Sequence, residues 1–106
     1  MALVQRVRIT IANRTGTEVK VTKFEYLKGD RSANENLLGV DGFDTIPDGS
    51  GRTYTRNLQG IEGQRTRFTV TYEPRQGDKW GANHTEETDE FTCRDDTSKT
   101  VTLTES

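Results

Sequence analysis

The stretch of sequence that decides the fold is RTRFTVTY, residues 65–72, in which every second side chain from Phe68 onward is large and apolar. Successive side chains of a β-strand point to opposite faces of a sheet. The alternation therefore predicts a strand that turns Phe68, Val70 and Tyr72 inward and the intervening threonines outward. We expect this strand to end within Glu73–Asp78, where proline and glycine favour a turn.

The same period of two extends upstream. A first strand is predicted up to the turn Asn13–Gly16, and a second over about residues 18–27. The inward residues of the first strand are Leu3, Val7, Ile9 and Ile11. In the second strand the inward set changes phase between Val21 and Phe24, and a regular ladder cannot absorb a slip of one residue. We therefore expect a β-bulge near Thr22–Lys23.

Between these strands and residues 65–72 the sequence is more polar. The segment Lys28–Val40 predicts a long surface loop with a short strand around Leu37–Leu38. Another short strand is predicted over Phe43–Ile46. The turn Pro47–Gly51 should close it, because proline presets one dihedral angle and glycine adopts positive ones.

The remaining strands are predicted to be short as well. Their inward residues are Tyr54 and Leu58, then Phe91 and Cys93, and finally Val101 and Leu103. A hairpin through Gly60–Gly63 should join the Tyr54 strand to residues 65–72, and the turn Asp95–Ser98 should precede the last strand. No segment keeps a helical period. About seven or eight short strands at this spacing predict an all-β chain, a single antiparallel β-sandwich domain over residues 1–106.

Composition and charge narrow the function classes. Of the 106 residues, 29% are hydrophobic, which is enough for one core only if those residues are well placed. The 15 basic and 17 acidic side chains are mixed along the chain, so no basic surface is expected to attract nucleic acid. Residues 1–6 contain no apolar run of signal-peptide length. We expect a protein that is cytoplasmic as synthesised, with any release from the cell taking a route without a classical signal.

Residues suited to catalysis are few. The one histidine, His84, lies in a polar stretch that predicts a surface loop. The one cysteine, Cys93, alternates with Phe91 on an apolar face and is expected to fill the core. No nucleophile elbow, phosphate-binding glycine loop, dinucleotide fingerprint or zinc-ligand spacing occurs. We therefore predict that the protein is not an enzyme and needs no cofactor.

Several aspartates raise a calcium hypothesis, because calcium is bound by six to eight oxygen ligands. The candidates are Asp41, Asp44 and Asp48 in one region and Asp95 and Asp96 in another. Aspartates beside glycine and proline are also ordinary turn residues. We predict no metal site, and a calcium-stabilised sandwich stays open as an alternative.

The single tryptophan, Trp80, is the most distinctive candidate for binding. It follows Lys79 directly, comes soon after Arg75, and lies beyond the strand that carries Tyr72. An amphipathic ring beside cations suits a lipid headgroup or a sugar, so we predict a lipid-binding site made of Tyr72, Arg75, Lys79 and Trp80. The alternative is that Trp80 packs against the core, as a lone tryptophan in a small sandwich often does.

Several short pieces of the sequence resemble the aegerolysins. Near the start these are Met1-Ala2, Gln5, Val7, Ile9, Ile11, Asn13, the Thr15-Gly16 turn and Val19-Lys20. Further along they are Gly63, Phe68-Thr69-Val70, Pro74, Gly77-Asp78-Lys79, Cys93 and Ser98-Lys99-Thr100. Asn13–Gly16 and Leu27–Arg31 are also similar to the small component of a bacterial binary insecticidal toxin of that family.

This resemblance implies a single-domain β-sandwich that recognises membrane lipid and, with a larger partner protein, helps to form pores and lyse cells. The lipid and the pore-forming protein are then the expected partners. The alternative is a structural or protein-interaction sandwich without lipid affinity, in which exposed strand edges pair with another chain to form a homo-oligomer.

Overall fold

Strands alone make up the regular structure of the described chain. A computed structural model describes residues 3–28, 31–34, 43–59, 61 and 63–104. The strands are β1 (Leu3–Arg14), β2 (Val19–Lys28), β3 (Arg31–Asn34), β4 (Asp44–Ile46), β5 (Gly51–Gln59), β6 (Arg65–Thr66), β7 (Phe68–Gln76), β8 (Lys79–Trp80), β9 (His84–Glu87), β10 (Phe91–Thr92) and β11 (Ser98–Thr104). These ranges hold no helix, and hence none that could cross a membrane. The all-β class is confirmed.

Two sheets carry most of the structure. The first has the order β11-β1-β5. The second has the order β3-β2-β7-β8, with β4 also paired to β2 and β9 to β7, while β6 and β10 form a separate two-stranded ribbon. Within the described residues the strands number eleven, more than expected, and three of them (β6, β8 and β10) are only two residues long.

A single core of buried side chains draws on both sheets, as in a sandwich. Its members are Val4, Val7, Ile9, Ile11, Val19, Val21, Phe24, Tyr26, Ile46, Leu58, Ile61, Phe68, Val70, Tyr72, Phe91, Cys93, Val101 and Leu103. In β7 the buried positions alternate with half-buried ones, as the stretch 65–72 predicts. The inward residues predicted for β2, β10 and β11 are confirmed as well. So is Cys93, which lies between β10 and β11.

Bulges bring two long strands into phase with this core. In β2 the register shifts between Val21 and Lys23, where a bulge was expected. In β1 a second shift lies between Val4 and Val7, and Arg6 has a φ of 57°. This bulge adds Val4 to the inward set. The predicted inward position of Leu3 lies outside the described side chains.

One strand pair departs from the predicted antiparallel arrangement. β11 pairs with β1 in parallel, from Arg8 opposite Ser98 to Arg14 opposite Thr104. Backbone hydrogen bonds fix the start of the pair: the Arg8 amide donates to the Thr97 carbonyl at 2.8 Å. The alternation of side chains specifies which face is buried but not strand direction, so the parallel pairing carries no sequence signal.

The predicted hairpin through Gly60–Gly63 is wrong. β5 pairs with β1, whereas β6 pairs with β10 and β7 with β2, so this connection passes from the first sheet to the second. Ile61 in the connection is fully buried. An apolar residue in a turn is explained by this crossing, since it fills space between the sheets.

Three further boundaries differ from the sequence prediction. The segment Lys28–Val40 is not wholly a loop, because β3 pairs with the end of β2; the strand expected at Leu37–Leu38 lies outside the described residues. β7 continues past Pro74 to Gln76, and its Pro74 carbonyl accepts a hydrogen bond from the Gly81 amide at 2.7 Å. His84 belongs to β9 and not to a loop.

Candidate functional site

The four predicted lipid-binding residues lie on two adjacent strands but do not share one face. Tyr72 and Arg75 belong to β7, and Lys79 and Trp80 to β8. The Tyr72 side chain is buried in the core. Arg75 lies three positions further and therefore on the other face, where the β7–β8 register sets it directly opposite Trp80. Lys79 is exposed.

Arg75 and Trp80 form the centre of an aromatic and cationic surface. The Arg75 guanidinium carbon lies 5.0 Å from the Trp80 ring centroid, and the Lys20 Nζ lies 6.0 Å from it. The same Lys20 Nζ lies 4.6 Å from the ring centroid of Phe43, which is 37% exposed. We call Lys20, Phe43, Arg75 and Trp80 the outer patch.

Strand register explains why these residues meet. Lys20 of β2 is opposite Glu73 of β7, two positions before Arg75, so both cations lie on the outward face of the second sheet. The Lys20 Nζ lies 3.9 Å from a Glu73 carboxylate oxygen, and both side chains are one-quarter exposed (25%). This one acidic partner balances part of the charge.

Trp80 itself is half-buried and is not a member of the core. The interpretation that it packs against the core is therefore wrong. The Arg75 guanidinium and the Lys20 ammonium lie over part of its ring. Each such contact stabilises an exposed ring by about 0.5–1 kcal/mol, so the ring is held in place while part of it faces solvent.

An open cavity of about 490 Å3 has Arg75 among its lining residues. Its walls are the β1–β2 turn at residues 15–17, Tyr72 and residues 74–76 of β7, His84 of β9 and Thr104 at the end of β11. The rings of Tyr72 and His84 stack with centroids 5.7 Å apart and planes inclined by 30°. The Tyr72 hydroxyl donates to the Thr104 carbonyl at 3.1 Å. Burial, together with the Glu86 carboxylate, raises the pKa of Tyr72.

Sequence reasoning missed this cavity and the residue that supports it. Asn13 was expected to be a turn residue, but it ends the inward face of β1 with 1% of its surface exposed. Its side-chain amide bonds both to the turn and to β4. The sequence contains one indication that Asn13 is buried: it continues the period of two set by the apolar residues of β1.

Cys93 lies in the core, as expected. Burial and the nearby Asp95 raise the pKa of its thiol to about 11, although a hydrogen bond with Thr97 acts in the opposite direction. The thiolate, which is the reactive form of cysteine, is therefore disfavoured at neutral pH.

The described aspartates of the calcium hypothesis have protein partners. Asp44 accepts a hydrogen bond from the Tyr54 hydroxyl at 2.8 Å, and Asp48 accepts one from the Gly16 amide at 3.1 Å. Asp95 accepts one from the Gln5 amide at 2.8 Å, and Asp96 forms an ion pair with Arg6 at 2.7 Å. Across the described ranges, no group of three or more metal-ligating side chains is assembled. Asp41 lies outside those ranges.

No protein-family model matches the sequence, and neither a curated protein nor a solved structure matches it. Any function is therefore inferred from the geometry of the outer patch and the cavity.

Proposed function

We propose that this chain is a non-catalytic binding module that recognises membrane lipid through the outer patch, and that it acts with a larger partner protein in pore formation. One observation supports the lipid proposal above the others: a half-buried tryptophan ring is held on the surface of the sheet by Arg75 and Lys20. The role of a partner protein depends on the resemblance to the aegerolysins.

The chemistry of the outer patch suits the headgroup region of a bilayer. Tryptophan concentrates at membrane interfaces because its ring is amphipathic. Phe43 adds a second partly exposed ring, 4.6 Å from Lys20 Nζ. A guanidinium and an ammonium beside these rings can bind a lipid phosphate while the rings contact the upper part of the acyl chains.

The patch is also rigid, which favours binding. Lys20, Arg75 and Trp80 all lie on paired strands. The Arg75 Nε donates a hydrogen bond to the Gly77 carbonyl at 2.8 Å, which fixes the guanidinium. Side chains that are already ordered lose less conformational entropy when a ligand binds.

Co-sedimentation with lipid vesicles tests the proposal. Vesicles of phosphatidylcholine, of sphingomyelin with sterol, and of anionic phospholipid are compared for the natural chain and for Trp80→Ala. We expect the natural chain to bind at least one mixture and Trp80→Ala to bind it about tenfold more weakly, since aromatic anchors carry much of the energy of an interface. Trp80→Phe should retain part of the affinity.

A matched lysine variant distinguishes binding through the outer patch from a non-specific effect of the protein's net charge. Lys20→Ala should weaken binding, and more so at low salt, because it removes a cation of the patch. Lys99→Ala removes the same charge from β11, where Lys99 Nζ lies over the Phe91 ring at 4.7 Å, and should leave binding unchanged. The lipid proposal is wrong if the natural chain sediments with none of the mixtures.

A protein-interaction role is the second candidate, and the edge strand β5 favours it. β5 has nine residues and pairs with β1 on one side, and no strand pairs with its other side within the described residues. Exposed Thr53 and Thr55 lie on this edge strand. Such an edge can add a strand from another chain. Sedimentation-velocity ultracentrifugation would then show a dimer that Thr53→Pro disrupts, whereas a pure lipid-binding module would sediment as a monomer.

A further inference from the structure

The cavity beside β7 has only Arg75 in common with the outer patch. We propose that this cavity binds a carboxylated sugar, whose carboxylate pairs with Arg75 and whose hydroxyl groups donate to the threonine oxygens of the β1–β2 turn. The inference goes beyond lipid recognition, because a water-soluble sugar acid needs neither Trp80 nor Phe43.

The wall formed by the β1–β2 turn is fixed before any ligand arrives. The buried Asn13 amide nitrogen donates to the Thr17 carbonyl at 2.8 Å and to the Ile46 carbonyl at 2.9 Å. Its oxygen accepts from the Thr15 amide at 3.0 Å. Gly16, at a φ of 89°, donates its amide to Asp48. A turn held by this many hydrogen bonds keeps the cavity open at little entropic cost on binding.

The hydroxyl groups along the cavity have already used their protons. The Thr15 hydroxyl lies 2.7 Å from the Asn13 Oδ1 and 2.9 Å from the Thr17 carbonyl, both acceptors. The Thr17 hydroxyl donates to the Arg75 carbonyl at 3.3 Å, and the Thr104 hydroxyl donates to Glu86 at 3.0 Å. A hydroxyl oxygen that has donated still has lone pairs to accept with. The complementary ligand therefore carries several hydrogen-bond donors, as a sugar ring does.

The charge of the cavity calls for an anion on the same ligand. Among the described residues that line it, Arg75 carries the one permanent charge, and none of them is a carboxylate. Glu86 stands at the rim, where it is bonded to Thr104. The Arg75 Nε is committed to the Gly77 carbonyl, and its terminal nitrogens form no hydrogen bond with the described residues. A guanidinium with two adjacent donors is suited to a planar carboxylate.

Size and apolar contact point to a sugar rather than to a simple anion. The cavity of about 490 Å3 lies within the range for small-molecule sites, about 300–1,000 Å3, and exceeds what one carboxylate or sulfate fills. Pro74 and His84 are among its lining residues and are half-buried, whereas the Tyr72 ring is buried behind them. Rings of this kind can pack against the carbon-bound hydrogens of a pyranose. A bare anion brings no hydrogen-bond donor for the threonine oxygens and would fill only part of the cavity.

An NMR titration of the 15N-labelled chain tests the inference, with sodium glucuronate as the probe. We expect saturable shifts of the Thr15, Gly16, Thr17 and Gln76 amides. Glucose, which has no carboxylate, should bind at least about tenfold more weakly, since hydrogen bonds to charged groups are the stronger ones. Acetate, which has no ring hydroxyls, should also bind at least about tenfold more weakly.

Paired threonine variants give the matched control. Thr17→Val removes one hydroxyl from the cavity while keeping the branched shape, and should weaken glucuronate binding about three- to tenfold. Thr55→Val makes the same change on the exposed face of β5 and should alter nothing. Thr17→Val should also leave vesicle binding intact, so that failure of the sugar proposal and failure of the lipid proposal are distinguishable.

Three results would overturn the sugar assignment: no amide shift up to about 50 mM glucuronate, a value that corresponds to negligible affinity; equal affinity for acetate; or an unchanged affinity in Thr17→Val. Vesicles bearing an acidic glycolipid distinguish the source of the sugar. Glucuronate-sensitive binding to these vesicles, absent from vesicles of the same composition without the glycolipid, assigns it to a membrane glycolipid. Titration by glucuronate without such binding assigns it to a soluble glycan.

Discussion

Replacing Phe68 with alanine should remove a large part of the stability of this domain. Phe68 is fully buried, and its ring centroid lies 5.2 Å from that of Phe24 and 4.9 Å from that of Phe91. A buried Phe→Ala change costs about 3–5 kcal/mol. We expect a value near the upper end, because each aromatic contact adds about 0.5–1.5 kcal/mol beyond the burial of area. The whole domain is stable by about 5–15 kcal/mol, so the loss is a large fraction.

Urea unfolding followed by far-ultraviolet circular dichroism measures this loss. With a slope of about 1.5 kcal/mol per molar urea, a loss of 4–5 kcal/mol lowers the midpoint by about 3 M. Phe43→Ala is the matched control, since Phe43 is 37% exposed and its cation contact with Lys20 contributes about 0.5–1 kcal/mol. Equal midpoint shifts in the two variants would refute the position of Phe68 at the centre of the core.

Two further predictions concern pH. The Arg6 guanidinium holds the pKa of Asp96 below its ordinary value, so the pair stabilises the fold above that value and the stabilisation is lost as the pH falls through the lowered pKa. Asp96→Asn should therefore lower the urea midpoint at pH 7 and less at pH 2.5, and adding Arg6→Gln should cost little more, as a double-mutant cycle would record. Burial raises the pKa of the Cys93 thiol to about 11, so the unfolded chain loses this proton first and stability should fall between about pH 8.5 and 11. In Cys93→Ala the difference in midpoint between pH 8 and pH 10.5 should be smaller, although Tyr54 and Tyr72, whose pKa values are also raised, keep part of it.

The inner faces of β2 and β7 could be predicted from the sequence because they depend on a local property. Alternation within β7 identified Phe68, Val70 and Tyr72, and the change of phase in β2 identified its bulge. Burial of one face specifies the register of a strand strongly, since a slip of one residue would expose every apolar side chain. These assignments needed no knowledge of neighbouring strands.

The neighbours of each strand could not be predicted in the same way. The hairpin expected between β5 and residues 65–72 is replaced by a crossing between sheets, and β11 runs parallel to β1. The alternation of apolar and polar side chains along a strand is the same whichever strand lies beside it and whether the pair is parallel or antiparallel. Such choices are made by the packing of the whole chain.

In the candidate site, too, the contacts between residues close in sequence were predictable and those made by strand pairing were not. Arg75 and Trp80 are close in sequence across a turn, and their contact was within reach of sequence reasoning. The parity of positions along β7 already sets Tyr72 and Arg75 on opposite faces, a signal that the predicted four-residue site overlooked. Lys20 joins the patch only through the pairing of β2 with β7, and Phe43 only through Lys20.

Arg75 connects the two proposed sites, and this limits how they can be used together. Its guanidinium stacks on Trp80 on one side, and the residue also lines the cavity. With Nε bonded to Gly77, only the terminal nitrogens remain for a ligand. A carboxylate bound in the cavity would occupy the donors that a lipid phosphate needs at the patch. By linkage the two ligands must then oppose each other to the same degree, so the sugar would act as a reciprocal antagonist of membrane binding.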